Sequence, residues 1–335
     1  MVDKMGYREL KFDKDSVFLV TGGAGFIGSN LCEALTDMGY QVRCLDDLST
    51  GRKENVEMFM DRSNYTFIKG DIKDLETCIK ACEGVDYVLN QAAWGSVPRS
   101  IEMPLFYEQN NIMGTLNMME AARQNGVKKF VMISTDKAVN PVNLYGGTKL
   151  VSDKLFIAAN AYSGYKDTRF AIVRYGNVAG SRGSVIPFFR NLVESGETEL
   201  PITDFEMTRF WISLEQGVEL VIKALTESRG GETFIAKIPS FKITDLAKAI
   251  LPSCTVKKVG IREGEKLHEV MITKEDSPYT YEYDKHYIVY PHMSWWTDTK
   301  IIPGGKPVEQ RFEYSSGTNN QWLSVEDLRE LLQGV

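Results

Sequence analysis

Histidine and cysteine are scarce in this chain of 335 residues, and each scarcity closes off a kind of chemistry. The three histidines, His268, His286 and His292, have no second set of ligands beside them and read as structural residues. The five cysteines, Cys32, Cys44, Cys78, Cys82 and Cys254, are odd in number and include no C-x-x-C pair, so neither a disulfide framework nor a metal site is expected. Cys78 and Cys82 stand four apart on an expected helix and read as small reduced hydrophobes. No apolar run approaches ~18 residues, so no membrane span is expected. Met1 to Ser16 is charged and lacks the apolar centre of a signal peptide. A net charge of −6 offers no footprint for nucleic acid or an acidic membrane. These absences point to a cytoplasmic, reducing setting and a globular chain long enough for one large domain or two unequal ones.

What is present starts with Val17 to Val20, an apolar run leading into Thr21-Gly22-Gly23-Ala24-Gly25-Phe26-Ile27-Gly28, with a helix expected from Ser29 to Met38. Strand, glycine turn and helix in that order are the setting for a dinucleotide. Gly22 permits the turn, Gly25 lets backbone approach a pyrophosphate, and Gly28 lets the helix pack close to the sheet. Free N–H groups at the helix start then face the phosphates. A second strand, Gln41 to Leu45, ends at Asp46-Asp47, where an acidic residue meets ribose hydroxyls. Asp46 argues for NAD, because a carboxylate repels a 2′-phosphate; Arg52 and Lys53 keep NADP as the alternative. A third strand, Tyr65 to Lys69, runs into Asp71-Ile72, with Asp71 placed for the adenine amino group or else as a helix N-cap. The fourth, Val85 to Asn90, ends at Gln91-Ala92-Ala93, whose small side chains let a cofactor lie flat. A loop from Trp94 to Arg99 and a long helix from Phe106 to Gln124 follow, and Asn110 and Asn111 within that helix are expected to bond a neighbouring strand end.

The chain is organised around Ser134-Thr135-Asp136-Lys137 and Tyr145-Gly146-Gly147-Thr148-Lys149. This stretch leaves a fifth strand, Lys129 to Ser134, and enters a helix expected from Leu150 to Tyr162. The carboxyl ends of strands are where open α/β sheets bind ligands. Tyr145 and Lys149 share one helix face. An ammonium beside a phenol lowers a pKa that starts near ~10, which makes tyrosine a general base for a sugar hydroxyl. Standing alone, Tyr-x-x-x-Lys is a common coincidence and Asp136-Lys137 a common solvated turn; the order of features upstream gives them weight. A sixth strand, Arg169 to Arg174, ends in Tyr175-Gly176-Asn177-Val178. The alternation predicts an α/β fold, a Rossmann-like doubly wound parallel sheet with a smaller C-terminal α/β substrate domain. Beyond Val178 the pattern predicts a polar loop from Ser181 to Ser184 and helices from Val185 to Glu194, from the Ser213 capping box to Leu225, and from Asp245 to Leu251 under a Thr244 cap. It also predicts a strand from Thr233 to Ile238 and a last helix after the Ser324 capping box. Trp295-Trp296 is expected in the core or at a subunit contact.

Taken together, these motifs resemble the extended short-chain dehydrogenases/reductases that act on nucleotide sugars. The stretch from Ser134 to Gly146 is similar to the inverting, pseudaminic-acid type of UDP-N-acetylglucosamine 4,6-dehydratase. So are Ser181-Arg182-Gly183-Ser184-Val185, Pro201-Ile202-Thr203-Asp204, Met207-Thr208-Arg209-Phe210-Trp211, Arg262-x-Gly264-Glu265-Lys266-Leu267-His268-Glu269, and the tail from Tyr314 to Ser324. Residues 17–130 instead resemble UDP-N-acetylhexosamine 4-epimerases, through Asp46-Asp47-Leu48-Ser49-Thr50-Gly51 and the run from Gln91 to Ser100. Dehydratases of this type usually carry serine and arginine after the second strand and use NADP, so the departure bears on the cofactor.

The resemblance implies a catalytic set of Thr135, Asp136, Lys137, Tyr145 and Lys149. Tyr145 takes the C4 hydroxyl proton while hydride leaves C4, and Thr135 bonds the 4-oxygen. Lys137, if burial or neighbouring cations leave it partly neutral, abstracts the C5 proton, and Asp136 protonates the leaving C6 hydroxyl. Inversion at C5 is implied. To the cofactor the resemblance assigns Phe26, Ile27, Ile72, Ser134, Tyr175 and Val178 besides the glycines, Asp46, Asp71, the 91–93 run, Asn110, Tyr145 and Lys149. To the UDP-sugar it assigns Ser96, Val97, Lys137, Asn177, Ser184 and Thr203, with Arg209 and Arg262 on the diphosphate, Val185, Pro187, Phe188 and Ile202 flanking uracil, and Glu265 on the ribose. Either arginine alone would as readily be a surface ion pair, and each uracil candidate ordinary core. The expected parts are an N-terminal extension (1–16), a dinucleotide-binding domain (17–178, with 204–228 packing back onto it) and a mainly nucleotide-sugar-binding domain (179–335). A homodimer through the helices around Phe106 and Leu150 is expected by fold analogy. A UDP-N-acetylhexosamine 4-epimerase is the alternative enzyme. A dinucleotide-sensing protein without turnover is a third reading, against which the intact Tyr145 and Lys149 argue.

Overall fold

In the computed structural model, residues 6–161, 167–181 and 184–334 are described. Residues 1–5 of the expected extension, the expected helix end at Tyr162, and Arg182 and Gly183 of the expected loop lie outside them. The six expected strands of the first half form as β1 (Val17–Thr21), β2 (Gln41–Asp46), β3 (Tyr65–Lys69), β4 (Tyr87–Asn90), β5 (Lys129–Thr135) and β6 (Arg169–Tyr175). The later chain adds β7 (Glu199–Ile202), β8 (Thr208–Phe210), β9 (Thr233–Ala236), β10 (Ser240–Lys242), β11 (Thr255–Lys258), β12 (Val270–Ile272), β13 (Thr280–Glu282), β14 (His286–Val289), β15 (Lys306–Pro307) and β16 (Tyr314–Ser315). Ten strands make one sheet in the order β15-β13-β14-β9-β6-β5-β4-β1-β2-β3. From β3 to β9 every neighbour is parallel; β14, β13 and β15 extend the sheet antiparallel. The strand order reverses between β1 and β4, and a crevice opens at such a reversal past the carboxyl ends of the strands.

The central strands are apolar on both faces because helices cover both. On one face α1 (Phe26–Asp37) and α9 (Leu214–Glu227) pack a core with Phe18, Val20, Leu31 and Val221. On the other, α3 (Leu75–Cys82), α6 (Gly114–Asn125) and α7 (Leu144–Ala159) enclose Leu19, Val88, Phe130 and Phe156. A third core gathers α8 (Val185–Glu194), α10 (Ile243–Ile250) and α11 (Val325–Leu331) around Phe189, Leu200, Trp211 and Leu246. Of the remaining helices, α2 (Glu54–Glu57) follows β2, while α4 (Val97–Glu102) and α5 (Pro104–Tyr107) follow β4. Both expected capping boxes form, at Ser213–Gln216 and Ser324–Asp327. Among the described residues, no helix is long and apolar enough to cross a membrane.

Three local expectations are corrected. The helix carrying the tyrosine begins at Leu144, not Leu150, because the Asn143 side chain caps it by accepting from Gly146 N–H. The long helix after β4 is not uniform: Glu108–Met113 is a π-helical turn between α5 and α6, a wider turn that often marks functional positions. Helix α10 begins at Ile243 after Lys242, so Thr244 lies inside its first turn instead of capping it. The arm before β1 is anchored by Phe12, whose ring lies 5.0 Å from Phe18 and 4.9 Å from Tyr87.

Candidate active site

A cavity of about 880 Å³ opens at the carboxyl ends of β4, β5 and β6. From β5 the chain delivers Ser134 and Thr135, then a tight helical turn, Asp136–Ala138, capped by the Thr135 hydroxyl. Asp136 is 1% exposed and does not border the cavity; it lies behind Thr135 and Lys137, which do. Its Oδ1 accepts from the Thr135 hydroxyl at 2.9 Å and from the Lys137 ammonium at 3.0 Å. Its Oδ2 is buried without a partner among the described residues. The Lys137 ammonium also donates to Asn177 Oδ1 at 3.0 Å and lies 3.9 Å from Glu269. Burial works against that charge, but Asp136 and Glu269 outweigh it and hold the ammonium up to about 12. Lys137 is therefore cationic here, not the partly neutral amine expected of a base.

Tyr145 and Lys149 both sit on the first two turns of α7 and border the cavity. The ammonium of Lys149 donates to Ile133 O at 2.7 Å, and burial pulls it down to about 8. Burial pushes the Tyr145 phenol up to about 12, while the Lys137 charge and a hydrogen bond shared with Thr135 pull it back. Lys137, not Lys149, is the cation acting on the phenol in the protein alone. That differs from the expected lowering by Lys149, whose amine is engaged by the strand.

The expected cofactor residues divide between this cavity and a smaller adjoining one. Gly22, Gly25, Asp46, Asp71, Ile72, Ala92 and Asn110 border the smaller, Ile27, Ser134, Lys149, Tyr175 and Val178 the larger, and Gln91 and Ala93 both. Gly28 borders neither: a Cβ there would strike the Gly22 carbonyl, so the missing side chain lets the start of α1 close against the glycine turn. Phe26 packs against the core. A nicotinamide dinucleotide fits this set. The N-terminus of α1 has no side-chain cap, which leaves its N–H groups for a pyrophosphate. Asp46 closes the far end, its two oxygens accepting from Ala24 N–H at 3.0 Å and Leu48 N–H at 2.8 Å. Gln91 Nε2 and the Tyr175 hydroxyl are buried without partners among the described residues. Asn111 explains the polar pair in the helix: it grips both backbone groups of Trp94 and the Thr148 hydroxyl, fixing the loop past β4 to α7.

Of the expected substrate residues, Ser96, Val97, Asn177, Ser184, Val185, Pro187, Phe188, Thr203, Arg209, Arg262 and Glu265 border the larger cavity. Ile202 does not; it is fully buried in the third core, so the ordinary-core reading holds for it. Two residues left without a role, Lys266 and Glu269, line the same wall. Glu269 is buried, 3.8 Å from Arg209 and 3.7 Å from Lys266 as well as near Lys137. One carboxylate thus stands among three cations. Nothing in the run Glu265 to Glu269 distinguishes it from a solvated charge run; only tertiary burial does. His286 is buried against Phe234 and Tyr283, and burial pulls it down to about 4; His268 is half-buried and shares a hydrogen bond with the Thr208 hydroxyl, and His292 is exposed, its ring stacked on Tyr279. Among the described residues, no group of side chains suits a metal ion.

Lys149 gives a signed pH prediction. With a folded value near 8 against an ordinary 10.5, its charge destabilises the fold fully below pH 8, and that cost vanishes by pH 10.5. The stability advantage of Lys149→Met over wild type in urea unfolding should therefore shrink, by about 2–3 kcal/mol, between pH 8 and 10.5. A gap that stays constant with pH would show that the amine is not desolvated.

Residues 18–291 match the model of the family described as polysaccharide biosynthesis protein. The chain is 44% identical to UDP-N-acetylglucosamine 4,6-dehydratase (inverting) of Campylobacter jejuni, over 96% of this chain and 98% of that one. The match runs through the epimerase-like first half as well. Among solved structures, it is similar to Pen from Bacillus thuringiensis, with a TM-score of 0.86, 32% identity, and coverage of 97% and 99%. It is also similar to the dTDP-glucose 4,6-dehydratase DesIV from Streptomyces venezuelae, solved with NAD bound, with a TM-score of 0.68, 27% identity, and coverage of 75% and 86%. The glycine turn, the crevice at the β1–β4 reversal and these likenesses agree on a nicotinamide cofactor. This chain is an extended short-chain dehydrogenase/reductase and belongs to the polysaccharide biosynthesis protein family.

Proposed function

We propose that this protein is a lyase, a UDP-N-acetylglucosamine 4,6-dehydratase that forms UDP-2-acetamido-2,6-dideoxy-4-keto-hexose with inversion at C5. The observation that carries the reading is the Asp136–Lys137 pair beside Tyr145. A 4-epimerase moves hydride at C4 alone and needs no acid and amine next to C5 and C6. The activity named for the Campylobacter relative supports the same substrate.

A nicotinamide held by the Gly22–Gly25 turn and beside Tyr145 and Lys149 would supply the hydride chemistry at C4 and C6 and a positive charge favouring the Tyr145 phenolate. Tyr145 takes the C4 hydroxyl proton, with Thr135 on the 4-oxygen. The resulting 4-keto group acidifies the C5 hydrogen. In the free protein the proton of the buried pair sits on Lys137. Its transfer across the 3.0 Å hydrogen bond to Asp136 leaves a neutral amine and a carboxylic acid. The amine takes the C5 proton. The acid's proton reaches the leaving C6 hydroxyl through Thr135, whose hydroxyl contacts Asp136 and borders the cavity. Tyr145 then gives its proton to C5 on the other face. Two protons taken, from O4 and C5, balance two given, and water leaves.

Arg209 and Arg262 hold the diphosphate, Asn177 a phosphate or the acetamido group, and Glu265, with Oε2 buried and unpartnered among the described residues, the ribose. Val185, Pro187 and Phe188 flank uracil. NAD is the proposed dinucleotide; the Asp46 carboxylate at the end of β2, bordering the smaller cavity, supports it, since a carboxylate repels a 2′-phosphate. The division near Val178 into dinucleotide-binding and nucleotide-sugar-binding parts is supported by the separate third core. A homodimer through the helices around Phe106 and Leu150 is supported by Ile101, Leu105 and Val151, exposed and apolar on α4, α5 and α7.

Given UDP-N-acetylglucosamine and cofactor, the protein should yield a product lighter by one water in mass spectrometry. Asp136→Asn should slow this by about 10²–10⁴-fold with dinucleotide affinity unchanged. Full rate in that variant would remove Asp136 from the mechanism, and an isomer of unchanged mass from wild type would favour the epimerase. Calorimetric titration should find NAD binding tighter than NADP; the reverse order contradicts the role given to Asp46.

A further inference from the structure

The loop that carries Arg262 and Glu265 is far in sequence from the catalytic helix, yet it is fastened to the turn that starts it. Asn143 makes both halves of the join. Its Oδ1 accepts from Gly146 N–H at 2.7 Å, capping α7, and its Nδ2 donates to Gly264 O at 2.8 Å, across 121 residues. Gly264 has φ +76, and a Cβ there would stand 2.9 Å from Asn143 Cβ and 3.1 Å from Val97 Cγ1. The contact is thus close enough to exclude any side chain at that position. A second tie runs in parallel, from the Lys266 ammonium to Val139 O.

We propose that Asn143 is a positioning residue that latches the substrate-phosphate loop to the first turn of the helix bearing Tyr145. Its amide sets the loop and its carbonyl oxygen sets the helix, so the grip on the UDP moiety and the base at C4 share one reference point. The inference rests on the UDP-sugar reading above.

The test uses the full chain loaded with NAD. Asn143→Ser and Asn143→Asp both keep an oxygen that can cap α7 but lose the donor to Gly264. Each should raise KM for UDP-N-acetylglucosamine and weaken UDP binding about tenfold, the effect of one lost hydrogen bond, while NAD affinity and thermal midpoint stay near wild type. Gly264→Ala should have a similar effect, and joining it to Asn143→Ser should add little, because both break one contact. Wild-type KM and UDP affinity in both Asn143 variants would overturn the proposal. So would full additivity with Gly264→Ala, which would mean that Asn143 touches the ligand directly. If wild type does not turn the sugar over but UDP affinity still depends on Asn143, the latch stands and the dehydratase reading falls.

Discussion

Lys137 stands 3.0 Å from Asp136 and 3.9 Å from Glu269, both buried, and its surroundings follow from that. A charge beside a low-dielectric wall is costly unless it is paired and hydrogen-bonded. Here the pairing is shared: Glu269 also faces Arg209 and Lys266, and Asp136 also holds Thr135. The cluster therefore ties the end of β5 to a segment more than 120 residues later. It keeps the proton on Lys137 at neutral pH, one hydrogen bond away from the Asp136 carboxylate.

The sheet supplies the frame for that cluster. Seven parallel strands point their carboxyl ends to one edge, and the reversal between β1 and β4 opens the crevice there. Strand β5 brings Ser134 and Thr135 to the edge, α7 brings Tyr145 and Lys149, and the later chain returns with Arg209 on β8 and the 262–269 segment. Asp153, buried on α7, fixes the floor by accepting from Ser134 Oγ and pairing with Arg174 at 3.2 Å. The residues proposed for the dinucleotide and those proposed for the sugar thus come from opposite directions along the chain and meet at Tyr145.

Much of this was legible in the residues. The glycine turn could be read because its flanks were a clear strand and a clear helix, and the six parallel strands because buried strands are short apolar runs between turn residues. The start of α7 was not, because Gly146-Gly147 reads as a helix breaker. The reason for glycine there is tertiary: a Cβ on Gly146 would strike the Lys137 carbonyl. The role of Glu269 was hidden for a similar reason, since a carboxylate in Gly-Glu-Lys-Leu-His-Glu gives no sign of burial. The ionisation of Lys137 was out of reach as well. Sequence shows its neighbour Asp136 but not the second carboxylate, and the two together outweigh desolvation. The π-helical turn at Glu108–Met113 carries no periodic signal, though the asparagines inside it did mark the place.

The acid–amine pair is proposed to take the C5 proton and release the C6 hydroxyl, with Tyr145 completing the inversion at C5, and one experiment addresses this directly. The purified protein, loaded with NAD, would be incubated with UDP-N-acetylglucosamine in heavy water and followed by proton NMR. Dehydration with inversion should give a new C6 methyl signal, deuterium at C5, and ring couplings of the hydrated product that report the inverted configuration. A clean shift to the galacto sugar, with no methyl signal and no deuterium, would contradict it and would assign the site to epimerisation at C4.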